Sequence, residues 1–379
     1  MRDPKDELSE LESLGLRRNL RKLDSPQGRL VRLADGKECF NFSSNDYLGL
    51  ANDDRLIAAF QENLARYGVG SGASRLVCGT QSPHLELESQ LADFKGSEAA
   101  LTFSSGFATA TGVISGLCDK SDIVILDKLS HASLIDGSRL SGAKMRIFPH
   151  NDLDKLESHL QWAVEKVDAN GRILLVTESI FSMDGDLAPL AEIVALKEKY
   201  GALLLLDEAH AFGVIGPQGR GLAAELGLED RIDLQMGTFS KAAGLSGGYL
   251  CASRSLVDLM VNRARSFIYS TAPSPALAAT IFNAINLIGG SDGDSLRRKL
   301  WTNISSLDSS ATSAILPIII GENAEALAAS NSLLEDDFLV PAIRYPTVPR
   351  GTARLRVTLS AAHEEEEIAM LKSALSKWV

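Results

Sequence analysis

The chain has 379 residues, 45% hydrophobic and 23% charged, with a net charge of −11. That length predicts one large domain plus a smaller one, with core to spare for both. The acid excess, with no long lysine- or arginine-rich run, argues against a protein that tracks nucleic-acid phosphates. No stretch reaches membrane-span length, and the opening MRDPKDELSELE lacks an apolar signal core. Cys39, Cys78, Cys118 and Cys251 are scattered without C-x-x-C pairing. A cytoplasmic protein with reduced thiols, no disulfide framework and no metal site is therefore expected.

In chain order, residues 1–35 read as a helix carrying Leu8, Leu11, Leu14 and Leu16, then a polar turn at 25–28. The cluster Arg17, Arg18, Arg21 and Lys22 suits either a solvated face or a patch for an anionic substrate. The turn-rich, aromatic stretch 41–50 is unlike an ordinary linker. Helices follow over 55–67 and 83–94, with a glycine-rich loop at 68–72 between them. A short strand at 99–103 runs straight into Ser104-Ser105-Gly106-Phe107 and a small-residue helix over 108–117. Such a junction is either a plain N-cap or an anion cup, because its free N–H groups and the helix dipole face the same way.

The next apolar strand, 123–126, leads to His131, which can stack on a flat ligand or serve as a structural hydrogen-bonder. A short strand at 146–148, a helix over 152–167 and a strand at 173–176 follow, the last leading into Thr177, Glu178 and Ser182. A crossover helix spans 189–200. Strands alternating with helices predict an α/β fold built on a mostly parallel, right-handed sheet covered on both faces.

The centre of the chain is 201–248. An unbroken apolar run, 202–206, ends in Asp207 with His210 just beyond, and a second run, 232–236, leads into Thr238-Phe239-Ser240-Lys241. Apolar runs of this length suit strands buried on both faces. Polar residues past their carboxyl ends lie where open α/β sheets bind ligands. A lysine there can hold an aldehyde as a Schiff base, and a carboxylate can keep a pyridine nitrogen protonated, which is the donor set of pyridoxal 5'-phosphate (PLP) chemistry. The plainer alternative is that Asp207 caps a helix and Lys241 is a solvated loop lysine. Beyond it come a strand at 247–251 and helices over 255–267 and 275–288. Then follow a strand at 315–320, a helix over 324–335, strands at 338–341 and 355–359, and a final helix, together a small α+β domain. In 343–356, strand arginines can grip a carboxylate bidentately.

These residues stand in longer strings: SNDYLGL, SHASLIDG, FSMDGDLAPL, DEAHAFGVIGPQGRG and PTVPRGTARLRVTLSAAH. With those strings in register the chain resembles the α-oxoamine synthases, PLP enzymes of aminotransferase-like fold type I, from about Leu20 to the C-terminus. The resemblance implies a large domain with a mostly parallel seven-stranded sheet and a small α+β domain. The expected division is 1–44 as an N-terminal segment, 45–275 as the PLP-binding domain and 276–379 as the small domain.

It also implies roles. Lys241 is the Schiff-base lysine, Asp207 the partner of the pyridine nitrogen, His210 the neighbour of the phenolic oxygen and His131 the ring-stacking, catalytic histidine. Gly106, Phe107, Glu178, Ser182 and Thr238 belong to the cofactor set, with Ser270 and Thr271 reaching the neighbouring subunit's cofactor in a homodimer with shared sites. Arg21, Asn45, His131, Thr347 and Arg356 fall to the substrate, with Arg17 or Arg18 as alternatives to Arg21. The implied reaction is the decarboxylative condensation of L-alanine with a pimeloyl thioester, on CoA or acyl carrier protein, the biotin-pathway branch of the family. Glycine with acetyl-CoA or succinyl-CoA is the sister activity, and Leu76 to Thr80 is similar to the threonine-pathway branch as well.

Overall fold

The computed structural model describes residues 3–378, which form two compact units. The larger takes residues 53–182 and 186–297; the smaller takes 1–52, 183–185 and 298–379. The helix at Pro275–Gly289 stays with the larger unit, and residues 45–52 go with the smaller, so both boundaries differ from the division expected from sequence. The reason is packing. Pro275–Gly289 is apolar along one side and buries Ile281, Ile285 and Ile288 against the helices Asp54–Tyr67 and Ser82–Lys95.

The larger unit is built on seven strands in the order Ala99–Phe103, Gly248–Ala252, Leu234–Thr238, Leu203–Asp207, Ile173–Glu178, Ile123–Asp127, Lys144–Phe148. Only Gly248–Ala252 runs antiparallel to its neighbours. The central strands are almost entirely buried and mostly apolar because helices cover both faces. Leu204, Leu205 and Leu206 are each fully buried, and each such side chain contributes about 1.5–3 kcal/mol through burial. Helix starts are written in the sequence: the Ser105, Asp152 and Ser253 side chains cap the helices Gly106–Leu117, Leu153–Lys166 and Arg254–Arg263.

Several elements differ from the sequence reading. The N-terminal helix is only Pro4–Ser13, because Gly15 turns the chain at φ 62°. The predicted 255–267 helix breaks at Ala264, whose backbone would lie 3.2 Å from a Cβ at Gly116 of the crossing helix. Helices at Ala132–Ser141 and Ser291–Leu307 were not anticipated, the second because SDGD reads as a turn. Phe338–Leu339 pairs in parallel with Glu38–Asn41, making with Leu30–Arg32 a separate three-stranded sheet in the smaller unit. That unit's other sheet places Ala353–Thr358 between Ile315–Gly321 and Ala342–Ile343, all antiparallel.

Candidate active site

In the larger unit the polar residues collect where the central strands end. Glu178 and Asp207 close adjacent parallel strands and stand opposite each other in register. Two carboxyls so placed, both buried, disfavour double ionisation. Burial first, then the neighbouring Asp207 charge, pushes Glu178 far above the usual carboxylate range. Burial also raises Asp207, while the Lys241 charge opposes that rise. Asp207 Oδ1 accepts the Ala209 N–H at 2.9 Å. A buried carboxylate in this position calls for a cationic partner.

Lys241 sits on the connection between the antiparallel strands Leu234–Thr238 and Gly248–Ala252. That connection is closed by Phe239 N–H to Gly247 O (3.1 Å), Gly244 N–H to Lys241 O (2.8 Å) and Leu245 N–H to Phe239 O (2.9 Å). Lys241 Nζ is 2.8 Å from His210 Nε2. Thr238 Oγ1 bonds Gly247 O at 2.7 Å and Ser240 Oγ at 2.8 Å.

His131 caps the Ala132–Ser141 helix. Its Nδ1 lies 2.8 Å from Ser133 Oγ, and its backbone N–H donates to Glu178 Oε1. Burial lowers the His131 pKa, with Asp207 and Lys241 pulling in opposite directions, so the ring is neutral at pH 7.

Gly106 opens the Gly106–Leu117 helix beneath these strand ends, with Ser105 Oγ accepting the Ala108 N–H at 3.0 Å. The approach is tight. A Cβ at Gly106 would meet Thr238 Cβ at 3.3 Å, and one at Gly248 would lie 2.7 Å from the Gly106 nitrogen. Phe107 is half exposed beside that N-terminus. Ser182 lies in the turn beyond Glu178, closed by Phe181 N–H to Asp186 O at 3.0 Å. Ser270 and Thr271 follow the Arg265–Ile268 helix, and Thr271 bridges to Ser74.

The donor set fits PLP: an amine, a buried acid, a neutral histidine and a helix N-terminus for a phosphate, gathered in one unit. Among the described residues, no cluster of three His, Cys, Asp or Glu side chains is placed to hold a metal, and no helix is long and apolar enough to cross a membrane.

The smaller unit gathers Asn45, Tyr47, Arg356 and Thr358. Arg356 Nη1 donates to Asn45 Oδ1 and to Thr358 Oγ1, each at 3.0 Å, and the Tyr47 hydroxyl reaches Asn45 Oδ1 at 3.3 Å. Burial raises the Tyr47 phenol to about 12, against the Arg356 charge. Of the N-terminal arginines, Arg18 donates to Thr347 Oγ1 at 3.0 Å, Arg17 pairs with Glu12, and Arg21 is exposed.

Sequence reasoning passed over Lys95 and Glu208. Both are fully buried, and Lys95 Nζ donates to Glu208 Oε2 and to Arg220 O. Glu208 Oε1 accepts the Ala223 N–H at 3.0 Å. The available signal was a second acid directly after Asp207, at the end of an apolar run.

Residues 37–375 match the family described as aminotransferase class I and II. The chain is 46% identical to an 8-amino-7-oxononanoate synthase of Herminiimonas arsenicoxydans, covering 97% of each chain. The chain belongs to the 8-amino-7-oxononanoate synthase family. A second relative of that description, from Geobacter sulfurreducens, is also 46% identical, covering 98% of this chain and 96% of its own. Among solved structures, a serine palmitoyltransferase from S. paucimobilis with bound PLP superposes with TM-score 0.91 at 31% identity, covering 98% of this chain and 96% of its own. An 8-amino-7-oxononanoate synthase from Francisella tularensis gives 0.75 at 27% identity, covering 89% and 97%. The fold type expected from sequence is the one these relatives share.

Proposed function

We propose that the chain is a PLP-dependent acyltransferase that condenses L-alanine with a pimeloyl thioester, releasing CO2 and the free thiol and yielding 8-amino-7-oxononanoate. The observation that carries this reading is the strand-end set Asp207, His210 and Lys241, in a chain 46% identical to enzymes of that name. When bound, PLP supplies an electron sink that lets the amino acid's Cα bear negative charge.

The chain's residues do the rest. Lys241 would hold the cofactor through its aldehyde and, once the amino acid displaces it, its freed Nζ would take and return the proton at the substrate Cα. Asp207 would pair with the ring nitrogen and keep it protonated. His210 would serve the phenolic oxygen, and neutral His131 would orient the ring and polarise the incoming carbonyl. The N–H groups at Gly106 and Phe107 would bind the phosphate, with the Thr238 and Ser182 side chains as further contacts to the cofactor. Glu178, held protonated by burial, fixes the His131 backbone through its accepting oxygen. Asn45 and Arg356 bind the amino acid carboxylate. Thr347 and an N-terminal arginine, Arg21 or the Arg18 that bonds Thr347, serve the acyl substrate. In a homodimer with shared sites, Ser270 and Thr271 would reach the cofactor of the second copy, and the cytoplasm would be the place of action.

The test is thioester cleavage, followed with a thiol reagent. L-alanine with pimeloyl-CoA or pimeloyl-acyl carrier protein is expected to release thiol and form the amino-oxo acid. Release only with glycine and acetyl-CoA would assign the sister activity instead.

A further inference from the structure

His150 lies outside every role above, yet it joins the two chain segments on which His131 and Ser182 sit. Its Nδ1 is 3.0 Å from Asp127 Oδ1 and its Nε2 is 2.7 Å from Asp186 Oδ2. Asp127 ends the strand Ile123–Asp127 and shapes the turn to His131, accepting the Leu129 N–H at 2.7 Å and the Asn151 N–H at 2.9 Å. Asp186 closes the turn that holds Ser182, its carbonyl accepting the Phe181 N–H at 3.0 Å. The His150 ring also packs edge-on against Phe181, centroids 4.4 Å apart. Asn151 repeats the link, its Nδ2 donating to Asp186 Oδ2 and to Leu187 O, each at 3.2 Å.

A neutral imidazole has one N–H, and an ionised carboxylate only accepts. Two short bonds to two carboxylates therefore require both ring nitrogens to carry hydrogen. The charged groups facing the ring are Asp127 from the strand end and Asp186 from the returning turn. His150 Nε2 and Asn151 Nδ2 both meet Asp186 at Oδ2.

We propose that His150 is a positioning residue: an imidazolium that staples the turn carrying His131 to the turn carrying Ser182, and so sets how the cofactor ring is held. Burial alone would lower its pKa, but the hydrogen bonds and charges of Asp127 and Asp186 raise it to about 10. The staple is thus closed through the neutral range and opens only in alkali. The role in holding the ring rests on the reading under Proposed function; the protonation state does not, and it is measured separately.

The experiment uses holoenzyme labelled with 15N-histidine, with His150→Gln to assign the resonance. At pH 8 both His150 nitrogens are expected to show imidazolium shifts. A neutral-tautomer signal at pH 8 would overturn the proposal whatever the enzyme's activity. Asp186→Asn, at a partly exposed carboxylate, provides the second arm at a temperature where far-UV circular dichroism shows a folded chain. It is expected to alter the visible circular dichroism of bound PLP and to lower kcat by about tenfold or more, since small displacements of positioned groups cost that much. His150→Arg, which keeps a cation between the two carboxylates, is expected to lose less of both than His150→Gln. If Asp186→Asn lowers only Tm and leaves the cofactor's spectrum and kcat as they were, the positioning role is refuted.

Discussion

Lys241 Nζ and His210 Nε2 are 2.8 Å apart, although the two residues belong to different strand-end loops. At that distance two protonated nitrogens would face each other donor to donor, so one of the pair offers a lone pair. Under the proposed role of Lys241 as nucleophile and base, the contact would give the lysine a local partner for the proton it sheds. It also explains why the chain places a histidine three residues beyond Asp207: the DEAH turn carries the acid into the strand end and brings the imidazole back over the amine.

Asp207→Asn is expected to retain PLP and lose rate. An opposite charge in contact is worth roughly 1–3 pKa units, so kcat should fall about 10- to 1,000-fold. Steady-state kinetics beside a PLP titration check it. Near-normal kcat would remove Asp207 from the electron-sink role.

Lys95→Met should destabilise the fold without touching a substrate. The pair with Glu208 is fully buried, and removing one partner of such a pair costs about 3–5 kcal/mol because the other charge is left unmet. Denaturant unfolding of Lys95→Met beside Lys95→Met/Glu208→Leu measures this, with the double variant expected to recover part of the loss.

Stability should fall on mild acidification through His363. The ring is buried, stacked on Phe42 at 4.1 Å, with Nδ1 accepting the Ser360 N–H at 3.1 Å. Burial lowers its pKa to about 4 from 6.5. The unfolded chain therefore takes up this proton first. The contribution is full above pH 6.5 and shrinks as pH falls toward 4, by roughly 3 kcal/mol in all. His363→Gln should flatten that part of the unfolding free energy against pH, and an unchanged slope would contradict it.

Arg356→Lys is expected to raise KM for L-alanine about tenfold or more, because a lysine cannot keep a forked grip and hydrogen bonds to charged groups contribute about 1.5–3 kcal/mol. KM for the thioester should move far less. Equal changes in both would speak against a carboxylate role.

What was legible in the sequence follows from what physics makes local. The run ending at Asp207 is an unbroken set of leucines and the strand ending at Thr238 is buried at every position because both faces are covered, so strands and strand ends could be read together. The N-cap at Ser105 was equally local. The rest depended on distant partners. Phe338–Leu339 joins a sheet with residues some three hundred positions earlier, and nothing in its own pattern says so. Ser291–Leu307 opens with turn-like residues, and Ala264 breaks a helix where Gly116 of another helix comes close. Lys95 and His150 owe their places to acids far along the chain, at Glu208 and Asp186. That Arg18, and not Arg21, bonds Thr347 could not be read because the segment after Gly15 lacks regular structure to set a register.

The most direct measurement is borohydride reduction of the holoenzyme followed by peptide mapping. Reduction fixes PLP to whichever lysine holds it. The label is predicted on Lys241 alone, with none on the Lys241→Ala variant, which should also lose the visible absorbance of bound cofactor. A label on another lysine, or a wild-type chain that takes up no PLP at all, would contradict the account.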